Sequence, residues 1–204
     1  MDGYVQVSLK DMLESVGEDR VKAILSTFSC PLNRDVERYL TGRTAIEFAK
    51  QGVSPTQLVF TSYKGSMVLI GYYTLALKDF VIKDNAHIGS TLRKKLNKFS
   101  IRETELKIRR IPAPLIAQLG KNFTNGYNKL ITGDELLKLA IDKISMVQST
   151  VGGKIIYVEC EDKPELLEFY FSNGFVEFDK RALDRDEEID FEGKYLIQML
   201  KYMK

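Results

Sequence analysis

The sequence predicts an α/β fold: a mixed, mostly antiparallel sheet flanked by helices and preceded by an N-terminal helical extension. Three observations predict it. Two β-rich runs, TQLVFTSY (56–63) and SMVLIGYYTLAL (66–77), flank Lys64-Gly65, which marks a tight antiparallel hairpin. Further on, apolar runs of strand length alternate with capped helical segments, so strand–helix–strand units follow the hairpin. Residues 1–27 carry helical rather than alternating spacing.

Taken in order, Ser8 is placed to cap LKDMLES, and Gly17 breaks that run before EDRVKAILSTF. There Val21, Ile24, Leu25 and Phe28 share one face. RDVERYLTGRTAIEFAKQG reads as one helix or a broken pair closed by Gly52. After the hairpin, residues 78–110 form a basic insertion within a single domain spanning 1–204. Pro112 and Pro114 lead into PLIAQLG, a central strand ending at Gly120. Next comes NFTNGYNKLITGDELLKLA. Thr132 and Glu135 have capping-box spacing, so a helix is expected to start near Gly133 with Leu136, Leu137, Ala140, Ile141, Ile144 and Val147 buried. KIIYVEC (154–160) is an apolar strand. Asp162 and Glu165 repeat the capping-box spacing around Pro164, so PELLEFYFSN is a short helix stopped by Asn173-Gly174. FVEFDK (175–180) and KYLIQMLKYM (194–203) complete the strands, and the acidic ALDRDEEIDFEG between them is expected to be a surface loop.

Composition narrows the function classes. The 204 residues are 44 % hydrophobic with a formal charge of +2, ordinary for a soluble globular domain and too near neutral to imply nucleic acid or membrane by itself. No run approaches the roughly 18 apolar residues of a membrane span. The N-terminus lacks the apolar core of a secretory signal, and two distant cysteines, Cys30 and Cys160, make no disulfide framework. A reduced, cytoplasmic protein is expected. A single histidine, His87, and no CxxC pair argue against zinc and against a histidine-based triad. Charge is concentrated in Arg93–Arg110, which has eight basic residues against Glu103 and Glu105. That stretch is either a solvated face or a flank that steers a polyanion such as RNA.

The most informative stretch is 122–140. A helix starting near Gly133 aims unpaired N–H groups and the positive end of its dipole at the preceding loop, which suits a phosphate or pyrophosphate. The order of a strand ending QLG, this turn and helix, the strand IIYVEC and then EFYFSNGF resembles the Gcn5-related N-acetyltransferase (GNAT) family. The resemblance runs from about Phe28 to Met203. FYFSNGF is similar to the family's FYxxxGF signature. FSCPLNRDVERYL, SPTQLVF and IGYYTLAL are similar to the first half of acetyltransferase toxins of toxin–antitoxin pairs.

The resemblance implies acetyl-CoA as cosubstrate, with the backbone at Leu119, Gly120 and Lys121 pairing with the pantetheine arm and the thioester carbonyl. The family's pyrophosphate loop, Q/R-x-x-G-x-G/A, falls on Asn128, Lys129, Leu130, Ile131, Thr132 and Gly133. Gly133 is kept, whereas Asn128 replaces a long polar residue and Ile131 stands where the family has glycine. Lys129 and Thr132 are further phosphate contacts that the resemblance suggests. Tyr170 matches the signature tyrosine and is expected to protonate the departing thiolate, a transfer allowed by pKa values of about 10 and 8.5. No general base stands out, although Glu159 and Gln118 lie on the strands concerned. Cys160 has no activating histidine, so direct attack by the amine fits better than an acyl-enzyme.

The expected activity is therefore transfer of an acetyl group to a primary amine. The toxin likeness offers aminoacyl-tRNA as the acceptor, with an antitoxin and a second copy of the chain as candidate partners. The rival expectation is a non-catalytic GNAT-fold protein acting through a protein or RNA surface, for which Ile131 is the argument.

Overall fold

The computed structural model describes residues 3–86, 88–184 and 193–203. His87 and residues 185–192, most of the expected acidic loop, lie outside the described residues. The elements are β1 (Val5–Ser8), α1 (Leu9–Val16), α2 (Glu18–Leu25), α3 (Arg34–Thr41), α4 (Thr44–Gln51), β2 (Thr56–Tyr63), β3 (Ser66–Lys83), α5 (Ser90–Asn97), β4 (Ile101–Glu103) and β5 (Ile108–Lys121). After them come a 3-10 helix (Thr124–Lys129), α6 (Gly133–Val151), β6 (Ile155–Cys160), α7 (Pro164–Ser172), β7 (Val176–Ala182) and β8 (Tyr195–Tyr202). The strand order is β1-β2-β3-β5-β6-β8-β7, with β4 paired to β5. β5 and β6 run parallel, registered at Leu115 and Tyr157, and the other described ladders are antiparallel.

The chain divides into two compact units. Unit 1 comprises Met1–Ala76 and Ala117–Ile141. Its hairpin turns at Lys64 (φ 51°) and Gly65 (φ 80°), two consecutive left-handed residues that match the twist of the flanking strands. α1 and α2 form as expected, with Ser8 Oγ accepting from Asp11 N–H at 3.4 Å and Gly17 at φ 82° separating the helices. The sequence reading missed β1, whose four residues pair with β2 from Val5↔Phe60 to Ser8↔Gln57. It was hidden because an edge strand this short offers too few residues for alternation to show. Leu9, Val21, Leu25 and Phe28 join Val36, Leu40, Leu58, Leu69 and Tyr72 in one core, so the N-terminal helices are integral to unit 1. α3 and α4 are the broken pair. Asn33 caps α3 (Val36 N–H to Oδ1, 3.1 Å) and Gly52 at φ 70° closes α4.

Unit 2 comprises Leu77–Ile116 and Asp142–Lys204. β5 starts six residues before the expected Pro114 and carries both prolines within it. Nitrogens two residues apart face the same edge of a strand, so the two missing donors fall on one side. Phe80 packs against Tyr157 and Phe178, with ring centroids 5.0 and 4.7 Å apart.

Two expectations about helices need correction. In α6 Leu136, Leu137, Ala140 and Ile144 are buried, but Val147 is 52 % exposed and Gln148 takes the inward place, donating to the Ile155 carbonyl at 2.9 Å. A polar side chain there is tolerated because it has a partner. The second capping box does not form. Lys163 is the N-cap of α7 and makes no side-chain cap bond, while Asp162 accepts from Tyr195 Oη at 3.1 Å. With Pro164 at N1, Asp162 stands one residue too early to cap.

Candidate active site

Unit 1 holds the strand end and the turn. At Gly120 an added Cβ would overlap Val36 Cγ1 and come within 3.3 Å of Phe28 and 3.4 Å of Tyr72. A Cβ on Gly71 would lie 2.9 Å from the Gly120 carbonyl oxygen. The two glycines thus let β3, β5 and α3 approach closely. Gly120→Ala is expected to cost about 1–3 kcal/mol through overpacking, read as a lowered denaturation midpoint.

Asn122, fully buried, follows directly. Its Oδ1 accepts from the N–H groups of Ser29 and Thr124, both at 3.0 Å. Its Nδ2 donates to the carbonyls of Leu69 (2.9 Å) and Thr27 (3.3 Å), and its own N–H donates to Ile70 O at 2.8 Å. One amide thus ties the end of β5 to β3, to the segment before α3 and to the turn. Sequence reasoning passed over this residue, although an amide directly after an apolar strand is the signal that could have found it.

The turn itself is a 3-10 helix kinked at Asn125 (φ 54°) and Gly126 (φ 74°). Lys121 Nζ braces it by donating to the Asn128 carbonyl at 3.1 Å. Lys129 is exposed. Ile131 is 2 % exposed and does not have positive φ, so its side chain is a packing group and its backbone needs no glycine. Among the described residues, the N–H groups of Ile131 and Gly133 have no hydrogen-bond partner. The first capping box forms in full. Glu135 N–H donates to Thr132 Oγ1 at 3.1 Å, and Thr132 N–H donates to Glu135 Oε2 at 2.8 Å. On the neighbouring strand face Gln118 Nε2 donates to Asp35 at 2.7 Å, which commits that side chain to α3.

Unit 2 holds Tyr170, on α7 and 8 % exposed, its ring edge-on to Phe169 (5.0 Å) and Phe175 (5.4 Å). Its hydroxyl makes no hydrogen bond among the described residues, and burial pushes its pKa up, so the phenol keeps its proton at neutral pH. Burial, with Asp162 and Glu161 nearby, pushes the Cys160 thiol up to about 12, which disqualifies it as a thiolate nucleophile. Glu159 is not a free base either. Its carboxylate takes Arg181 Nε at 2.9 Å and Gln198 Nε2 at 2.7 Å across three adjacent strands.

Three arginines of the basic stretch are ion-paired within unit 2. Asp84 meets Arg102 and Arg109 at 3.1 and 3.7 Å, and Arg110 bridges Asp79 and Glu103 at 2.6 and 2.9 Å. Arg93 donates to the Ala86 carbonyl and Lys95 sits over the Tyr202 ring. Lys94, Lys98 and Lys107 have neither an ion pair nor a contact of that kind among the described residues. No described helix is long and apolar enough to cross a membrane.

No family model matches the chain, and no curated protein matches it. Solved structures do. AtaT complexed with acetyl-methionyl-tRNAfMet aligns over 96 % of this chain and 94 % of that one, at 16 % identity and a TM-score of 0.61. A tyrosine-to-phenylalanine mutant of KacT aligns over 97 % and 94 %, at 14 % identity and 0.62. An AtaT mutant toxin bound to the C-terminus of the antitoxin AtaR and acetyl-CoA aligns over 98 % and 94 %, at 15 % identity and 0.59. The chain has the fold of these GNAT-type toxins along nearly its whole length.

Proposed function

We propose that the chain is an acetyl-CoA-dependent N-acetyltransferase that passes the acetyl group to a primary amine by direct attack. The observation that carries this reading is the turn before α6. The Ile131 and Gly133 N–H groups are unpartnered, and the Ile131 side chain is buried rather than standing over them. The donor chemistry fits a pyrophosphate, and the burial of Ile131 removes the argument for a non-catalytic protein. Acetyl-CoA supplies the acetyl group as an activated thioester. Leu119, Gly120 and Lys121 offer strand backbone to its pantetheine arm and N–H polarisation to the carbonyl, with Asn128, Lys129, Thr132 and Gly133 completing the turn. Tyr170 holds the proton that the departing sulfur takes. A neutral amine needs little help, since an α-amino group of pKa about 7.7–8.0 is already partly deprotonated at pH 7.

A second reading narrows the acceptor to aminoacyl-tRNA, with an antitoxin as partner and the cytoplasm as the place of action. The likeness to AtaT complexed with acetyl-methionyl-tRNAfMet and to AtaT bound to AtaR favours it. The test is a melting curve with and without acetyl-CoA, followed by an acceptor screen that includes charged tRNA. An upward shift is expected from linkage, roughly 2.7 kcal/mol of stabilisation at a hundredfold excess over Kd, and no shift would end the reading.

A further inference from the structure

This inference rests on the acetyl-CoA reading. At the start of α6, donors suited to an anion already hold one. The Thr132 N–H and hydroxyl both donate to Glu135 Oε2, each at 2.8 Å. Tyr4 closes on the same turn: its hydroxyl donates to the Leu130 carbonyl at 3.3 Å, and it stands close enough to the Glu135 carboxylate to help hold that group's pKa down. Tyr4 directly precedes β1, which is anchored along β2, so this contact comes from a fixed part of unit 1. The bonds from Thr132 hold the Glu135 carboxyl below its usual range, with Tyr4 adding to the effect, so it is an anion at neutral pH. The unpartnered N–H groups of Ile131 and Gly133 flank the very residue whose donors Glu135 occupies.

We propose that Glu135 is a built-in competitor for the cofactor's phosphates, and that acetyl-CoA binds by displacing its carboxylate from Thr132, beside Tyr4. A second anion at this turn meets both the loss of Thr132 as a donor and repulsion from a full negative charge. The Glu135 side chain is exposed and can swing into water once released.

A plain helix cap and a competitor differ in sign. A capping role alone gives Glu135→Gln equal or weaker cofactor binding, whereas competition gives tighter binding. The experiment is calorimetric titration of acetyl-CoA into the full chain as wild type, Glu135→Gln, Tyr4→Phe and Glu14→Gln, with melting curves of each free protein. The last variant removes the same charge from the exposed face of α1. Expected are a Kd lowered roughly fivefold in Glu135→Gln, a smaller gain in Tyr4→Phe, the wild-type Kd in Glu14→Gln and no rise in the free protein's melting temperature. Tyr4→Phe carries the test should Glu135→Gln fail to fold. An unchanged or raised Kd in the folded variants, with wild type binding, overturns the competitor and leaves the acetyl-CoA reading standing. Equal tightening in Glu14→Gln overturns it too, since net charge would then be the cause. Absence of binding in every protein overturns the acetyl-CoA reading and this proposal together.

Discussion

Tyr170→Phe is expected to lower acetyl transfer by a factor of about 10²–10⁴, the usual contribution of a positioned proton donor, while leaving the melting temperature almost unchanged. The two halves of this expectation have separate origins. In the free protein the Tyr170 hydroxyl has no hydrogen-bond partner among the described residues, so its removal orphans nothing, and the ring contacts with Phe169 and Phe175 survive in phenylalanine. Burial raises the phenol's pKa, which keeps the donor loaded across the physiological range but makes full transfer to a thiolate uphill. The proton is therefore best delivered as the carbon–sulfur bond breaks rather than beforehand. A steady-state assay paired with a melting curve checks both halves. Retained activity in a folded variant removes Tyr170 from the chemistry.

Asn122→Ala is expected to act in the opposite way, through stability. It orphans the N–H groups of Ser29 and Thr124 and the carbonyls of Leu69 and Thr27 at a fully buried position. Each orphaned group costs about 1–3 kcal/mol, and with partial relief by water entering the vacated space a loss of roughly 3–4 kcal/mol follows. For a chain of this size that corresponds to a fall of about 10 °C in melting temperature. Asn122→Asp is a sharper probe, since it keeps the accepting oxygen but turns the donor that serves the two carbonyls into a second acceptor. Urea denaturation of the three proteins measures the series, and a change below 1 kcal/mol in Asn122→Ala would refute the hub.

Much of the fold was legible because its signals are local. The hairpin was visible in Lys64-Gly65, whose left-handed backbone any sequence must provide for at a two-residue turn. The start of α6 was visible because a capping box is a contract between residues three apart, and the stop of α7 because Gly174 takes φ 79°. What could not be read depends on distant partners. Asn122 looks like any loop amide until residues 27–29 and 69 are brought to it. Gln148 looks like a surface residue and Val147 like a core one until the Ile155 carbonyl decides between them. Ile131 is the clearest case. Compared with a motif it is a defect in a phosphate loop, whereas its burial shows that the side chain and the backbone at that position serve different purposes. Arg102, Arg109 and Arg110 read as unpaired cations only while Asp79 and Asp84 remain out of view.

The bonds made by Asn122 also have a kinetic meaning. Its links to Thr27 and Ser29 span 95 and 93 residues of sequence, whereas the capping box at Thr132 and Glu135 spans three. Closing a loop that long costs entropy that one hydrogen bond cannot offset until the intervening strands have paired. The start of α6 can therefore organise early in folding, while the strand end before it waits for the rest of unit 1. The turn before α6 is complete only when the slowest contacts of that unit have formed.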